Sequence, residues 1–219
     1  MAAIMTGDTS TQGAELAALI ATLADSKRFL GERYAEWCTA APSLESAVAA
    51  AAMAQDEIGH ARSFYPLLQD VAGASAETEP ETRSTFAVID FLRAPFQGWT
   101  DFVAANFLFD TALSVLLESA RDSSLKGLSQ RARRILEEEP LHWLHAEGWV
   151  RRLATLGPGV RAALIGSLRR IDPEARAWFN ISTPELTAAG ILTDGADSLR
   201  QAYLARVSPV LEAAGLPGL

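Results

Sequence analysis

The sequence predicts an all-α protein built around a bundle of four long helices. Of the 219 residues 49% are hydrophobic, and alanine and leucine, two of the best helix formers, are abundant. Apolar residues recur at alternating spacings of four and three, the pattern of helices that bury one stripe in a bundle. No stretch shows the alternation or the Asn-Gly turns that indicate β-hairpins. We expect a single domain over residues 1–219, with the core bundle at about 11–156 and a C-terminal helical extension at about 157–219.

The first two helices are predicted over about 11–37 and from Ser43 to about Val71. The first carries an apolar stripe that begins at Leu16 and continues through Ile20. The sequence TAAP breaks the pattern, and the serine that follows it is a typical N-cap residue. The short connection makes the two helices an antiparallel hairpin.

A second hairpin follows after a longer connector. Residues 73–84 are polar and small, which indicates a loop, and a short helical piece is expected at about 86–92. The third helix is predicted over about 99–121 and the fourth up to about Leu156, followed by two or three shorter helices. Two hairpins joined by one crossover form the ferritin-like arrangement of a four-helix bundle.

Polar residues interrupt the apolar seams of all four predicted helices. The sequences EIGH and EPLH each place a glutamate three residues before a histidine, so both side chains share one helix face. Two such helices, with a carboxylate from each of the other two, can hold two iron or manganese ions. We predict five metal ligands at seam positions: Glu57, His60, Asp110, Glu139 and His142. Asn106, one turn before the aspartate, is expected to hydrogen-bond a ligand or to satisfy a kinked backbone.

The first helix contributes Lys27 at this level, where a carboxylate would be needed. Three carboxylates, one ammonium and two divalent ions sum to a net charge of about +2, and a buried net charge is strongly unfavourable. One ion, or no ion with both histidines protonated, leaves the cluster neutral. The residues therefore leave two, one or no metal ions open. In the last case, Lys27 and the carboxylates form a buried salt-bridge network.

Other polar residues near the seams are expected to lie outside the cluster. Glu32 lies about two helical turns from the level of the cluster. Glu137 and Glu138 are predicted to be solvated, and His145 is predicted to be a partly exposed neighbour of the ligands. The basic residues of the fourth helix are assigned to its outer face.

Several motifs resemble a known family: EWCTAAPSLES, AQDEIGHAR, NFLFDTAL, LEEEPLHWLHAEGW and ARVSPVLEAAGLP. They are similar to the ferritin-like phenylacetic acid catabolic proteins, the oxygenase subunits of the multicomponent phenylacetyl-CoA epoxidase. The resemblance implies a di-iron centre that activates oxygen to epoxidise an aromatic ring held as a coenzyme A thioester. It also implies a non-catalytic sister subunit of the same fold and a separate reductase. The five predicted ligands match those of the catalytic subunit, but its first-helix glutamate falls at Lys27, and LADSKRFLGERYAEWC is closer to the sister subunit.

Two functions follow from these observations. The first is metal-dependent oxygen activation on an aromatic acyl-CoA-type substrate, for which no catalytic residue can be assigned. The alternative is a non-catalytic subunit or degenerate paralogue with little or no metal. Iron storage or peroxide detoxification is a weaker option, since it also needs the first-helix carboxylate.

The net charge, the cysteine content and the N-terminal sequence restrict which partners and which cellular location we expect. The net charge of −8 argues against nucleic acid, which usually binds a basic face. The single Cys38 fits a reducing compartment, and the N-terminus has no signal-peptide pattern, so we expect a cytoplasmic protein. No uninterrupted apolar run is long enough to span a membrane. The expected partners are a second copy or a sister subunit, with a reductase if the chain is catalytic.

Overall fold

The computed structural model describes residues 8–73 and 83–216, and these parts of the chain are helical and contain no strand. The all-α, ferritin-like bundle with extra C-terminal helices is thereby confirmed. Short 3₁₀ turns lie at Asp90–Leu92 and Phe179–Ile181. We number the helices in chain order: α1 Asp8–Ala35, α2 Leu44–Ala72, α3 Trp99–Ser119, α4 Lys126–Thr155, α5 Pro158–Trp178, α6 Pro184–Ala188 and α7 Ala196–Ala213.

The predicted helix boundaries lie within a few residues of those observed. Ser43 caps α2 as expected, because its hydroxyl accepts a hydrogen bond from the backbone N–H of Ser46 at 3.3 Å. Of the helical piece predicted at about 86–92, only Asp90–Leu92 forms a turn of 3₁₀ helix. Most of the predicted connector, residues 74–82, lies outside the described residues.

The four long helices form two antiparallel hairpins, α1 with α2 and α3 with α4, and the second helices of the two hairpins lie side by side. The C-terminal helices α5 and α7 pack on the α3 side of the bundle, where they contact α3 and α4, while the short α6 contacts α1. α2 packs mainly against α1 and α4. Its outer surface is therefore left uncovered by the described parts of the chain.

A π-helical turn at Ala105–Asp110 interrupts α3 in the middle of the bundle. Such turns insert one residue into the helical repeat and are frequent at functional sites. Asn106 is its second residue and Asp110 its last, and both are buried. The irregular backbone expected near Asn106 thus occurs where α3 presents its polar residues to the bundle interior.

Within residues 8–73 and 83–216, one helix, Trp99–Ser119, is long and apolar enough by composition to cross a membrane. Its most apolar window is 94% buried inside the fold, as is usual for the central helix of a helical bundle.

Candidate functional site

Lys27 occupies the centre of the polar seam and is completely buried. Its Nζ donates to Glu57 Oε1 at 2.9 Å, to Asp110 Oδ1 at 3.0 Å and to Glu139 Oε1 at 2.7 Å. α1, α2, α3 and α4 each supply one of these four groups. All three ammonium protons are used, since a lysine has three donors and no acceptor. The seam is therefore joined by one cation that contacts a carboxylate from each of the other three helices.

Close packing of α1 on α2 brings Lys27 to this position. Gly31 follows one turn later on α1, and a Cβ added there would lie 2.8 Å from Ile58 Cγ1 and 3.0 Å from Glu57 Cβ. Glycine thus allows the two backbones to approach at the level of the cluster.

The two histidines form a reciprocal arrangement between α2 and α4. His142 Nε2 lies 3.3 Å from Asp56 Oδ2, and His60 Nε2 lies 2.7 Å from Glu138 Oε2. Each histidine thus contacts the acid that immediately precedes the glutamate of the other helix. This is the pattern in which a carboxylate orients an imidazole so that its second nitrogen faces the interior. Glu138, predicted to be solvated, is 40% exposed and also makes this contact with His60.

The inward nitrogens of the two histidines differ in their surroundings. His142 Nδ1 lies 3.0 Å from Asp110 Oδ2 and 3.3 Å from Glu57 Oε1. His60 Nδ1 is buried, is 4.0 Å from the nearest oxygens of Glu57 and Glu139, and has no hydrogen-bond partner among the described residues. Only His142 is tied directly into the network.

The two histidines consequently differ in charge. Burial, together with the positive charge of Lys27, lowers the pKa of His60 to about 3. Burial also opposes the charging of His142, but hydrogen bonds to Asp110 and Glu57 outweigh it and raise its pKa to about 11. The charge count for a metal-free cluster with both histidines protonated therefore does not describe this site, because His60 is neutral.

The carboxylates also differ among themselves. Burial opposes ionisation of Asp110, but Lys27 and His142 outweigh it and lower its pKa. Burial and the charge of Asp110 raise the pKa of Glu57, and the same causes raise the pKa of Glu139 to about 8. The same carboxylates, outweighing the effect of burial, hold the pKa of Lys27 well above its ordinary value.

A hydroxyl beside Glu139 is compatible with a proton on this carboxyl, whose pKa is raised to about 8 by burial and by the charge of Asp110. Ser114 Oγ lies 2.9 Å from Glu139 Oε2 and 3.1 Å from the backbone oxygen of Asp110, yet it has only one hydrogen to donate. Both contacts are satisfied if Glu139 is protonated and donates to Ser114, which in turn donates to the backbone oxygen. With this proton, Lys27 and His142 balance the two ionised carboxylates and the cluster is neutral.

A relay of hydrogen bonds extends the network toward Trp99. Asn106 Nδ2 donates to Asp110 Oδ2 at 3.3 Å, and Asn106 Oδ1 lies 3.1 Å from His145 Nδ1. Burial and the charge of His142 lower the pKa of His145 to about 4, so its ring is neutral. The ring lies edge-on to Trp99 at a centroid distance of 6.2 Å. Asn106 thus hydrogen-bonds one of the predicted ligands, Asp110. His145 contacts Asn106 and none of the predicted ligands through a hydrogen bond.

A cavity of about 380 Å³ reaches the network between α3 and α4. Its inner end is formed by Asp110, Glu139 and His142, and its wall includes Trp143. The ring of Trp143 stacks on Phe107 at a centroid distance of 5.4 Å. The volume lies within the range of small-molecule sites.

If Lys27 is left aside, the carboxylates and the imidazole of the cluster are compatible with a metal ion. One ligand atom from each of Glu57, Asp110, Glu139 and His142 can be chosen so that all four lie within 4.8 Å of one another. His60 is not part of this group. The structure thus brings four of the five predicted ligands together and leaves the fifth at the margin.

The position of Lys27 does not fit a pair of divalent ions. A metal–carboxylate bond is about 2.2 Å long, and the three oxygens are at most 3.0 Å from Nζ. An ion bound to any of them would therefore lie within about 5 Å of a positive charge. At an effective dielectric constant of about 20, that repulsion is about 6 kcal/mol or more for each divalent ion. The residues as arranged fit an internal ammonium ion and do not fit a di-metal centre.

Some contacts of the site were not predicted from the sequence. Ser114, Asp56 and Glu138 were missed as partners of the predicted ligands. A signal for two of them was present, because both Glu-x-x-His motifs are preceded by an acid, which extends the repeat to acid-Glu-x-x-His. Glu32, which was predicted to lie away from the cluster, pairs instead with Arg28 on the outer side of α1.

Comparisons with known proteins add an independent line of argument. A family model described as "Phenylacetic acid catabolic protein" matches residues 2–217. The chain is also 31% identical over 145 residues to one of the subunits of the 1,2-phenylacetyl-CoA epoxidase of Escherichia coli (strain K12). That alignment covers 64% of this chain and 57% of the relative, so it spans little more than half of the relative's length.

Proposed function

Because the chain belongs to the phenylacetic acid catabolic protein family, we propose that it is a non-catalytic oxygenase-type subunit that acts by association with a metal-binding sister subunit. The complex acts on an aromatic acyl-CoA, and the oxygen chemistry takes place on the sister chain. The present chain supplies a rigid bundle of matching fold. This is the second of the two functions that the sequence left open.

The observation that carries the proposal is the triple contact of Lys27 Nζ with Glu57, Asp110 and Glu139. An ammonium ion pairs with the buried carboxylates at the place where the family's catalytic subunits are expected to hold metal. Its charge cannot be given up easily, since the surrounding carboxylates raise the pKa of Lys27. The name of the Escherichia coli relative supports the assignment to a multi-subunit complex.

The competing function is oxygen activation at an iron centre on this chain itself. It is supported by the closeness of the four donor groups and by the cavity that reaches them. It requires Lys27 to lose its proton, to be carboxylated on its amine, or to leave the cluster. Nothing among the described contacts of Lys27 favours any of these changes, because its three donors are all engaged.

An assay of the reconstituted complex distinguishes the two functions. The chain is stripped of metal with a chelator and mixed with a metal-loaded sister subunit, the reductase and an aromatic acyl-CoA. We expect substrate-dependent oxygen consumption that needs this chain but needs no metal bound to it. Activity that returns only after iron is restored to this chain would refute the proposal.

The control for this assay is the Lys27→Arg variant, which keeps the positive charge. If the chain acts by association, this variant should support oxygen consumption as the wild type does whenever it folds and binds its partner. A chain that neither binds a sister subunit nor affects its turnover would also count against the proposal.

A further inference from the structure

One ring nitrogen of His145 is left unpartnered by the rest of the fold. Nδ1 of this residue lies 3.1 Å from Asn106 Oδ1, whereas its Nε2 is buried and has no hydrogen-bond partner within residues 8–73 and 83–216. A buried polar atom without a partner costs free energy, and such atoms are rare in native proteins. Nε2 of His145 is therefore available to a group from outside the chain.

The hydrogen bonds on the other side of the ring determine what kind of group Nε2 binds. Asn106 Nδ2 donates to the carboxylate of Asp110, so the amide oxygen of Asn106 faces His145. An amide oxygen only accepts, and Nδ1 of His145 must therefore carry the hydrogen. The ring is neutral, because burial and the charge of His142 lower the pKa of His145 to about 4. Nε2 is consequently an acceptor, and its partner must be a hydrogen-bond donor.

A cavity of about 430 Å³ lies beside His145, between the start of α2 and the second half of α4. We call it the His145 cavity. Leu144 and Trp149 form the apolar part of its wall, together with Gly148. A Cβ added to Gly148 would meet nothing within 4 Å, so the wall leaves open space at this point. The volume lies within the range of small-molecule sites.

The charged groups of the His145 cavity balance each other and are already engaged. Glu45 and Arg152 both line it, and their charges are opposite. Hydrogen bonds from its own backbone N–H and from the hydroxyl of Ser43 lower the pKa of Glu45, so this carboxylate interacts with the start of α2. The guanidinium of Arg152 lies over the ring of Trp149, 4.8 Å from its centroid. The cavity therefore favours an uncharged ligand over an ion.

We infer that the His145 cavity binds a small uncharged molecule with an apolar body and one hydroxyl group, which donates its hydrogen to Nε2 of His145. The apolar body packs against Leu144 and Trp149. Phenol is a simple probe of this class, because its O–H is a donor and its ring suits packing against an indole. The inference goes beyond the proposed function and does not depend on a sister subunit.

NMR of the histidine ring nitrogens in the full-length ¹⁵N-labelled chain tests the tautomer and the contact together, since the chain has three histidines. In the free protein we expect the hydrogen of His145 on Nδ1. Phenol should shift the Nε2 resonance of His145 toward that of a hydrogen-bonded acceptor, with saturation below about 10 mM. Anisole has the same ring without the O–H and should give no saturable shift. Benzoate, which is charged, should bind more weakly than phenol.

Two glycine variants test the location of the site. Gly148→Leu places a side chain in the His145 cavity and leaves His145 in place, and we expect it to weaken phenol binding by about 10-fold or more. The matched control is Gly166→Leu on α5, because Gly166 is also exposed within a helix and a Cβ added there also meets nothing within 4 Å. This control should bind phenol as the wild type does. Circular dichroism and urea unfolding establish that both variants are folded.

Each result has a definite meaning. Saturable binding of phenol that shifts Nε2 of His145 and is lost in Gly148→Leu supports the inference. If anisole or benzoate binds as tightly as phenol, the acceptor or the charge balance does not select the ligand, and the inference is overturned. It is also overturned if the free protein carries the hydrogen on Nε2, if phenol leaves Nε2 unchanged because water alone occupies the site, or if Gly148→Leu binds phenol like the wild type. None of these results bears on the proposed function, because none involves a partner subunit.

Discussion

Replacing Lys27 by methionine removes the charge at the centre of the bundle and keeps a side chain of similar length. In the wild type Nζ makes three charged hydrogen bonds of 2.7–3.0 Å, all of them buried. The variant leaves Glu57, Asp110 and Glu139 with His142 as their only counter-charge. Removing one partner from a buried ionic network typically costs about 3–5 kcal/mol, because the remaining charges stay desolvated. We expect a loss of that size in the free energy of unfolding at pH 8.

The loss should depend on pH in a defined direction. Lys27 lowers the pKa of each of the three carboxyls, so its removal raises all three. A carboxyl whose pKa in the folded state lies above its unfolded value destabilises the fold increasingly as pH rises above that unfolded value, near 4.5. At pH 5 the folded variant can take up protons at little cost. The destabilisation should therefore be clearly smaller at pH 5 than at pH 8.

Equilibrium urea unfolding at the two pH values measures both quantities. The matched control is Lys126→Met, which changes the other lysine of the sequence, exposed at the start of α4. This control should alter the free energy of unfolding by less than about 0.5 kcal/mol at either pH. A loss below about 1 kcal/mol for Lys27→Met at pH 8, with no dependence on pH, would refute the reasoning about the ion network.

Three further outcomes are expected in the same unfolding assay. Gly31→Ala should cost about 1–3 kcal/mol, since its Cβ would lie 2.8 Å from Ile58, whereas Gly13→Ala has open space and should not destabilise. Asp25→Ala should lower the free energy of unfolding by about 3–5 kcal/mol, because it leaves Arg83 without the buried carboxylate to which its guanidinium donates two hydrogen bonds of 2.7 Å. An unchanged midpoint of urea unfolding would contradict this. Stability should fall as pH drops from 6.5 toward 3, since the pKa of His60 is about 3 in the folded state and near 6.5 when unfolded, and His60→Gln should flatten this slope.

The helices and their pairing could be predicted from the sequence because they depend on local signals. The four–three spacing of apolar residues, the Ser43 cap and the lengths of the connections are all readable without coordinates. The depth of Asp110 relative to Glu139 also follows from the antiparallel register of one hairpin. The π-helical turn at Ala105–Asp110 could not be predicted in detail, because its insertion depends on packing of α3 against its neighbours.

The protonation states of the cluster residues could not be predicted from the sequence, for a different reason. The charges of Lys27 and three carboxylates can be counted from the sequence. Which imidazole is charged depends instead on a difference of about 1 Å between the distances from each inward ring nitrogen to the nearest carboxylate oxygen. His142 Nδ1 is within 3.3 Å of two carboxylates and His60 Nδ1 is 4.0 Å from the nearest. Likewise, the raised pKa of Glu139 depends on its burial beside Asp110 and on its contact with Ser114, which the sequence does not show.

The central claim is that the ammonium of Lys27 takes the place of metal, and the metal content of two proteins tests it most directly. Wild type and Lys27→Glu are loaded anaerobically with ferrous iron, desalted, and measured by elemental analysis. We expect well below one iron per chain for the wild type. The variant, with four carboxylates and His142 facing one another, should retain one to two. Iron at one or more per chain in the wild type, or none in the variant although it folds, would contradict the claim.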